Sequence, residues 1–144
     1  MNVAVTPMDS EAVEREQEIL LFPYGLAGFE NCRSFVIFAA DTAPFQWLTS
    51  VEGPPAAFLT IDPRRVLPTY RSTLSRTDLE RLGATDDSDL LWLAIVLIEA
   101  DGAIAVNLRA PVIINPDTMI GIQVMPQNSL YPLRHVIVPA AAGA

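Results

Sequence analysis

Few side chains in this sequence are of a type that could support catalysis or bind a metal ion. His135 is the only histidine and Cys32 is the only cysteine. Zinc sites usually take three or four histidine, cysteine or carboxylate ligands, so the count excludes a zinc site built from histidine and cysteine. A Cys–His nucleophilic pair would require the fold to bring these two residues together, and a serine triad would depend on His135 without any nucleophile-elbow pattern. We therefore predict that the protein is not an enzyme and holds no cofactor.

Two other patterns resemble ligand-binding sites, one for a metal ion and one for phosphate, but each lacks residues that such a site needs. Three carboxylates fall within residues 86–89, but a calcium loop would need alternating ligands, a central glycine and a distal glutamate. Gly25 and Gly28 lie in one loop, yet a phosphate-binding loop would need a following lysine, and Glu30 and Asn31 follow instead. We predict no metal site, a solvated acidic segment, and a glycine turn that is structural or contacts a partner.

Composition sets the class of protein in which any site must be built. The 144 residues are 51% hydrophobic, which is enough for one domain with a single core. No apolar run reaches the ~18 residues that a membrane helix needs, and no signal peptide opens the chain. These features predict a cytoplasmic protein without membrane contact. The net charge of -8 argues against direct nucleic-acid binding and permits docking on a basic protein.

Apolar runs separated by turn residues predict a mostly β domain. The run at residues 90–98 is apolar throughout and suits a strand buried on both faces. Residues 103–115, continued by residues 119–125, predict two strands around a tight connection at residues 115–117. Pro111 has no N–H to give to a ladder, so it marks an edge or a strand start. The packed domain starts at residues 19–22, further apolar runs are residues 35–39, 45–51 and 57–61, the connection 62–65 leads into residues 66–70, and residues 130–138 are the last predicted strand.

One short helix is predicted at about residues 75–83. Ser75 can cap its first turn, and Asp78 follows three residues later as in a capping box. Leu79 and Leu82 lie on one face, and Gly83 stands where a glycine would end the helix. Because the helix has only about two turns, it must be held by packing.

Several short motifs together resemble the flagellar assembly factor FliW family. The resemblance covers residues 19–137, and its pieces follow one another in compatible order and spacing. In chain order they are Phe22-Pro23-x-Gly25-Leu26-x-Gly28-Phe29, Phe35-Val36, Pro44-Phe45-x-x-Leu48-x-Ser50, Ala57-Phe58-Leu59-x-x-Asp62-Pro63, Asn107-Leu108-x-Ala110-Pro111-x-Ile113-x-Asn115, Gln123-Val124 and Tyr131-x-x-Arg134-His135.

The resemblance implies a fold and a division of the chain. The fold it implies is mainly β, a small antiparallel β-barrel-like single domain with the one short α-helix at about residues 75–83. Residues 19–138 would form this β domain. Residues 1–18 would be a weakly structured N-terminal segment or a first hairpin, since the family's opening strand pair is faint here, and residues 139–144 would be a disordered tail.

The resemblance also implies a function without catalysis. FliW-like proteins bind flagellin and, alternatively, the translational regulator CsrA, and binding to CsrA relieves the repression of flagellin synthesis. An acidic protein fits a basic, RNA-binding partner of this kind. Two other classes stay open from the residues alone. One is a β-barrel that binds a small apolar ligand, and the other is a hydrolase that depends on His135.

Five residues are candidates for partner contact. Leu26, Phe29 and Tyr131 are apolar or aromatic residues that could anchor an interface if they are exposed. Asn107 and Pro111 could border the same surface, although Asn107, like Asn115, could equally serve turn and ladder hydrogen bonds. We predict that the glycine turn and the region 107–111 lie beside one partner surface.

Overall fold

The computed structural model describes residues 18–140 and contains eight strands and two short helices. The predictions for the segment 1–18 and the tail 139–144 therefore fall almost entirely outside the described residues. The strands are β1 (Leu20–Leu21), β2 (Ser34–Ala39), β3 (Gln46–Ser50), β4 (Ala57–Ile61), β5 (Leu91–Ile98), β6 (Ile104–Asn115), β7 (Ile120–Gln123) and β8 (His135–Val138), and the helices are α1 (Pro63–Val66) and α2 (Arg76–Leu82).

The first seven strands close into a barrel, which confirms the predicted fold class. Each strand pairs with the next along the chain, and β7 returns to β1. All of these pairs are antiparallel except β1 with β7, which is parallel. β8 lies outside the barrel and pairs with the first half of β6.

Successive side chains of a strand point to opposite faces, so part of the hydrophobic core lies inside the barrel and part lies on its outer surface. The interior is filled by a cluster that includes Phe22, Phe35, Leu48, Leu93 and Val112, all of which are fully buried. Successive residues on these strands point outward, and the helices and loops cover two further clusters there. The outer clusters centre on Ile61, Tyr70, Val96, Val106 and Leu108, and on Leu82, Ile113, Ile122 and Val124.

The predicted pair of strands around the 115–117 turn forms as β6 and β7, but β6 runs through Pro111, so a strand start at Pro111 is wrong. Pro111 lies where the neighbour of β6 changes from β8 to β7, and its carbonyl accepts the N–H of Val124 at 3.0 Å. Pairing with β5 does shift here, because Ile95 pairs with Asn107 and Leu93 with Val112. The missing N–H of the proline therefore falls at an irregularity and leaves no ladder position empty.

Two other local predictions need correction. A second short helix, α1, occupies the connection after β4, because the Asp62 carboxylate accepts the Arg64 N–H at 2.9 Å and Pro63 suits a first helical position. The last strand, which was predicted to begin at residue 130, begins only at His135. Ahead of this strand, the Pro132 carbonyl accepts the Leu108 N–H at 3.1 Å.

β5 follows the predicted run, but burial on both faces holds only for part of it. Leu93 and Ala94 are fully buried on opposite faces. At the end of the strand, 42% of Leu97 and 67% of Ile98 are exposed, so both-face burial is wrong for these two residues.

α2 forms as predicted and is fastened to the barrel at its C-terminus. The Ser75 hydroxyl and the Asp78 carboxylate make a capping box, and Gly83 ends the helix with φ of 64°. The Leu82 carbonyl accepts Asn115 Nδ2 at 2.9 Å and Thr118 Oγ1 at 2.8 Å. These bonds satisfy the end of a helix that is too short to persist alone, and they fix its position on the turn between β6 and β7.

Candidate partner-binding surface

The glycine turn after β1 is closed by its own backbone. The Phe29 N–H donates to the Leu26 carbonyl at 2.7 Å, and the Leu26 N–H donates back to the Phe29 carbonyl at 3.3 Å. Gly25 has φ of 65°, and a Cβ there would lie 2.5 Å from the Phe29 oxygen. The close approach of the two backbone segments therefore requires glycine at this position.

Leu26 and Phe29 point in opposite directions from this turn. Leu26 is 2% exposed and belongs to the barrel interior, so its side chain cannot reach a partner in the folded protein. Phe29 is 41% exposed and packs edge-to-face on Phe58, with ring centroids 5.0 Å apart. Of the two predicted contact residues in the turn, only Phe29 is presented at the surface.

Gln123 joins the glycine turn to the 107–111 region. Its Oε1 atom accepts the Ala27 N–H at 2.8 Å, and its Nε2 atom donates to the Ala110 carbonyl at 3.1 Å. The turn and the 107–111 region therefore lie side by side, and the hypothesis that they border one partner surface stays a prediction. Gln123 itself was not predicted as a linking residue, and the only signal for it was a polar residue that alternates with Ile122 on a short strand.

Asn107 and Pro111 support this region by internal contacts. The Asn107 Oδ1 atom accepts the N–H groups of Arg109 and Ala110 at 3.1 and 3.0 Å. Pro111 is buried. Both residues therefore shape the strand beneath the surface, and any contact that they make with a partner would be secondary to this role.

Tyr131 is half-buried and holds the loop before β8 in place by the following contacts. Its ring lies on Tyr70 at a centroid distance of 4.5 Å, and its hydroxyl oxygen accepts the Arg71 N–H at 2.8 Å. The Tyr131 carbonyl accepts Arg109 Nε at 2.8 Å. Tyr70 is more deeply placed and donates its hydroxyl to the Leu108 carbonyl at 2.9 Å, and burial raises the pKa of Tyr70 to about 12.

A groove of about 820 Å³ runs between the segment 71–81 and the loop 123–131. Gln123 and Tyr131 line it, so it adjoins the glycine turn. The Arg81 guanidinium, also a lining group, lies 4.8 Å from the centroid of the exposed Tyr24 ring. We name the turn 24–29, Gln123 and this groove together the turn-and-groove surface.

Exposed apolar side chains distinguish the turn-and-groove surface. Tyr24 is 56% exposed, Met125 57% and Leu130 95%. Single exposed apolar residues are ordinary, but a set that shares one surface is typical of a site of protein contact. Phe29 at 41% extends the set to the far side of the turn.

The side chains considered for catalysis are not brought together. Cys32 is buried in the barrel interior and its Sγ lies 3.4 Å from the Pro54 carbonyl oxygen, whereas His135 lies on β8 beside Val106. Among residues 18–140, no group of three or more histidine, cysteine, aspartate or glutamate side chains is placed to hold a metal ion. Within the same residues, neither helix is long and apolar enough to cross a membrane.

These features define a class, a small β-barrel domain whose most distinctive surface is suited to protein contact. Comparison with known proteins gives the family. The family model described as FliW protein matches residues 6–137, so the chain belongs to the FliW family. This finding confirms the resemblance seen in the sequence motifs.

Individual relatives agree with this assignment. The flagellar assembly factor FliW of Caldicellulosiruptor saccharolyticus is 38% identical over 123 residues, which cover 85% of this chain and 81% of the relative. That of Geobacter sulfurreducens is 34% identical and covers 99% of this chain and 89% of the relative. A crystal structure of the flagellar assembly factor FliW superposes with a TM-score of 0.78 at 31% identity, covering 88% of each chain.

Proposed function

We propose that this protein is a non-enzymatic, cytoplasmic flagellar assembly factor that binds flagellin and, alternatively, the translational repressor CsrA. Binding to CsrA would relieve the repression of flagellin messenger RNA. Membership of the FliW family supports the flagellar role. The partner assignment rests on the resemblance to FliW-like proteins and on the physical character of the chain.

The observation that carries the proposal is the turn-and-groove surface, which keeps aromatic and aliphatic side chains exposed beside a rigid barrel. Aromatic side chains anchor many protein interfaces because they bury a large area at a small entropic cost. The turn that presents Phe29 is fixed by its own bridge and by the Gln123 side chain. A surface held in place in this manner loses little conformational freedom on binding.

The overall charge supports the second partner. With a net charge of -8 and a sequence pI near 4.4, the chain would attract a basic RNA-binding protein and repel its RNA. The same charge disfavours direct contact between this chain and nucleic acid.

The interior of the barrel argues against the rival function, a binding site for a small apolar ligand. The described side chains fill the interior tightly. A Cβ at Gly121 would clash with the ring of Phe22, which is fully buried. A ligand would have to displace these aromatic side chains.

A competition titration tests the proposed function. Purified protein is added to a complex of cognate CsrA with labelled flagellin leader RNA, and RNA release is followed by fluorescence anisotropy. We expect release of the RNA and its reversal when flagellin is added. Binding to flagellin without RNA release would restrict the function to flagellin, and binding to neither protein would overturn the proposal.

A further inference from the structure

Most of the arginines of this acidic protein fall in one segment of the sequence, which contains one wall of the groove. All nine basic residues are arginine, and five of them lie in one short stretch of sequence. This stretch includes α1, the loop after it and α2, which together cover one side of the barrel. The five are Arg64, Arg65, Arg71, Arg76 and Arg81.

Within the groove, positively charged side chains outnumber negatively charged ones. Arg71 and Arg81 line the groove with a single carboxylate, Asp78. The Asp78 carboxylate accepts the Ser75 N–H at 3.1 Å in the capping box, and this bond keeps it at the start of α2. The groove is therefore a positive site on a protein whose net charge is -8.

The groove also has an apolar floor and an apolar rim. Leu74 and Val124 pack on the outer cluster beneath α2 and form part of the floor. Leu130 and Met125 stand at the rim, and both are more than half exposed. Charged side chains beside an open aliphatic strip suit an extended peptide that carries both carboxylates and aliphatic side chains.

We propose that the groove binds an extended acidic segment of flagellin that places an aliphatic side chain against Leu130 and its carboxylates near Arg71 and Arg81. This inference rests on the proposed function and assigns one of its two partners to a defined site. The other proposed partner binds RNA through basic surfaces, which Arg71 and Arg81 would repel. Charge complementarity thus separates the groove from the acidic remainder of the chain.

The experiment measures binding of full-length flagellin, and of overlapping 15-residue flagellin peptides, by isothermal titration calorimetry. The groove variant is Arg71→Glu with Arg81→Glu. The matched control is Arg33→Glu with Arg65→Glu, which makes the same change in net charge at exposed arginines outside the groove. A second pair is Leu130→Ser against Leu133→Ser, because Leu133 is 48% exposed and does not line the groove.

We expect acidic peptides with aliphatic residues to bind the wild-type protein. The groove variant and Leu130→Ser should each weaken flagellin binding by about tenfold or more, while the two controls change it by less than about threefold. Circular dichroism and thermal unfolding confirm that each variant is folded. The Arg71 backbone N–H donates to the Tyr131 hydroxyl, and the substitution keeps this bond.

Two results would overturn the inference and leave the proposed function intact. One is a groove variant that binds flagellin as tightly as the control, and the other is full-length flagellin that binds while no acidic peptide does. If the wild-type protein binds neither flagellin nor CsrA, the proposed function itself fails, and the assignment of the groove fails with it.

Discussion

Two regions of the molecule each depend on one amide side chain. Asn115 serves the junction of α2 with the barrel, and Gln123 serves the turn-and-groove surface, but the two regions differ in what they leave exposed. At the junction, Asn115 is 1% exposed and its amide nitrogen caps the end of α2. Its Oδ1 atom accepts the Asp117 N–H at 3.0 Å, so the side chain is satisfied internally on both sides. The polar atoms of Asn115 are therefore occupied within the fold, and this side chain serves the fold.

The turn-and-groove surface satisfies its backbone equally well but leaves apolar side chains open. Gln123 completes the hydrogen bonds of the turn, as Asn115 completes those of the helix end. The difference lies in the neighbouring side chains, since Phe29, Tyr24 and Leu130 remain exposed. A region whose polar groups are hydrogen-bonded and whose apolar side chains are exposed is suited to bind a partner. A region whose polar groups are hydrogen-bonded and whose apolar side chains are buried serves the fold alone.

The sharpest test of this contrast uses two residues of one turn, Leu26 and Phe29. Leu26→Ala should lower the free energy of unfolding by about 4 kcal/mol, because it empties part of the barrel interior. Phe29→Ala should lower it by only about 1 kcal/mol, because an exposed ring loses one edge contact with Phe58. Urea unfolding followed by tryptophan fluorescence measures both values.

Binding should reverse the order of these two variants. Under the proposed function, Phe29→Ala weakens binding to flagellin or CsrA by about tenfold or more. Leu26→Ala, measured at a temperature where it remains folded, should bind within about threefold of the wild-type protein. Unchanged affinity of folded Phe29→Ala for both partners would remove the turn from the partner surface.

A second comparison separates the two glycines of the same turn. Gly25→Ala should destabilise by about 3 kcal/mol, because φ is positive and the new Cβ would meet the Phe29 carbonyl oxygen. Gly28→Ala has a positive φ but no heavy atom within 4 Å, so about 1 kcal/mol is expected. Thermal unfolding gives the ranking, and equal costs would mean that the close backbone approach adds nothing.

The third comparison concerns the two asparagines of the longest motif. Asn115→Ala should cost about 2 kcal/mol, because it removes a buried hydrogen-bonding side chain from the end of α2. Asn107→Ala should cost about 1 kcal/mol, since its two backbone donors are only partly buried. Hydrogen exchange should show faster opening of α2 in Asn115→Ala alone. Faster exchange of α2 in both variants would contradict the assigned difference.

The success of each sequence prediction depends on how far apart in the chain the residues behind it lie. The helix at 75–83 was predicted correctly because its cap, its box and its final glycine all act within one turn of the chain. A strand start at Pro111 was wrong because a proline is tolerated inside a strand where the strand changes neighbours, and that change depends on distant residues 120–138. Hydrogen bonds between neighbouring residues could be predicted from the sequence, whereas the pairing of strands far apart in the chain could not.

The candidate site shows the same limit. The motif placed Leu26 and Phe29 three residues apart in one turn, but only the closed barrel decides which of them points inward. The sequence led to the hypothesis that the turn and the 107–111 region border one partner surface. It could not show that Gln123 is the link, because a hydrogen bond over 96 residues has no local pattern. The groove was likewise absent from the predictions, since its two walls come from separate loops.

The smallest expected effect concerns Tyr70, which lies beneath the groove residue Tyr131. An unfolded tyrosine titrates near pH 10, whereas burial raises the pKa of Tyr70 to about 12 in the folded protein. The folded state therefore holds this proton more tightly. The stability it contributes is complete below about pH 10 and is lost as the pH rises through about 12.

At pH 11 this loss should be on the order of 1 kcal/mol, with allowance for solvent screening. Tyr70→Phe should lower stability at pH 8 by about 1 kcal/mol, because the Leu108 carbonyl loses its donor. The same variant should then lose less stability between pH 9 and 11 than the wild-type protein does, as measured by urea unfolding at each pH. Parallel pH profiles for the two proteins would mean that Tyr70 is more open to solvent than its contacts indicate. It would then belong with the groove, and not with the support beneath it.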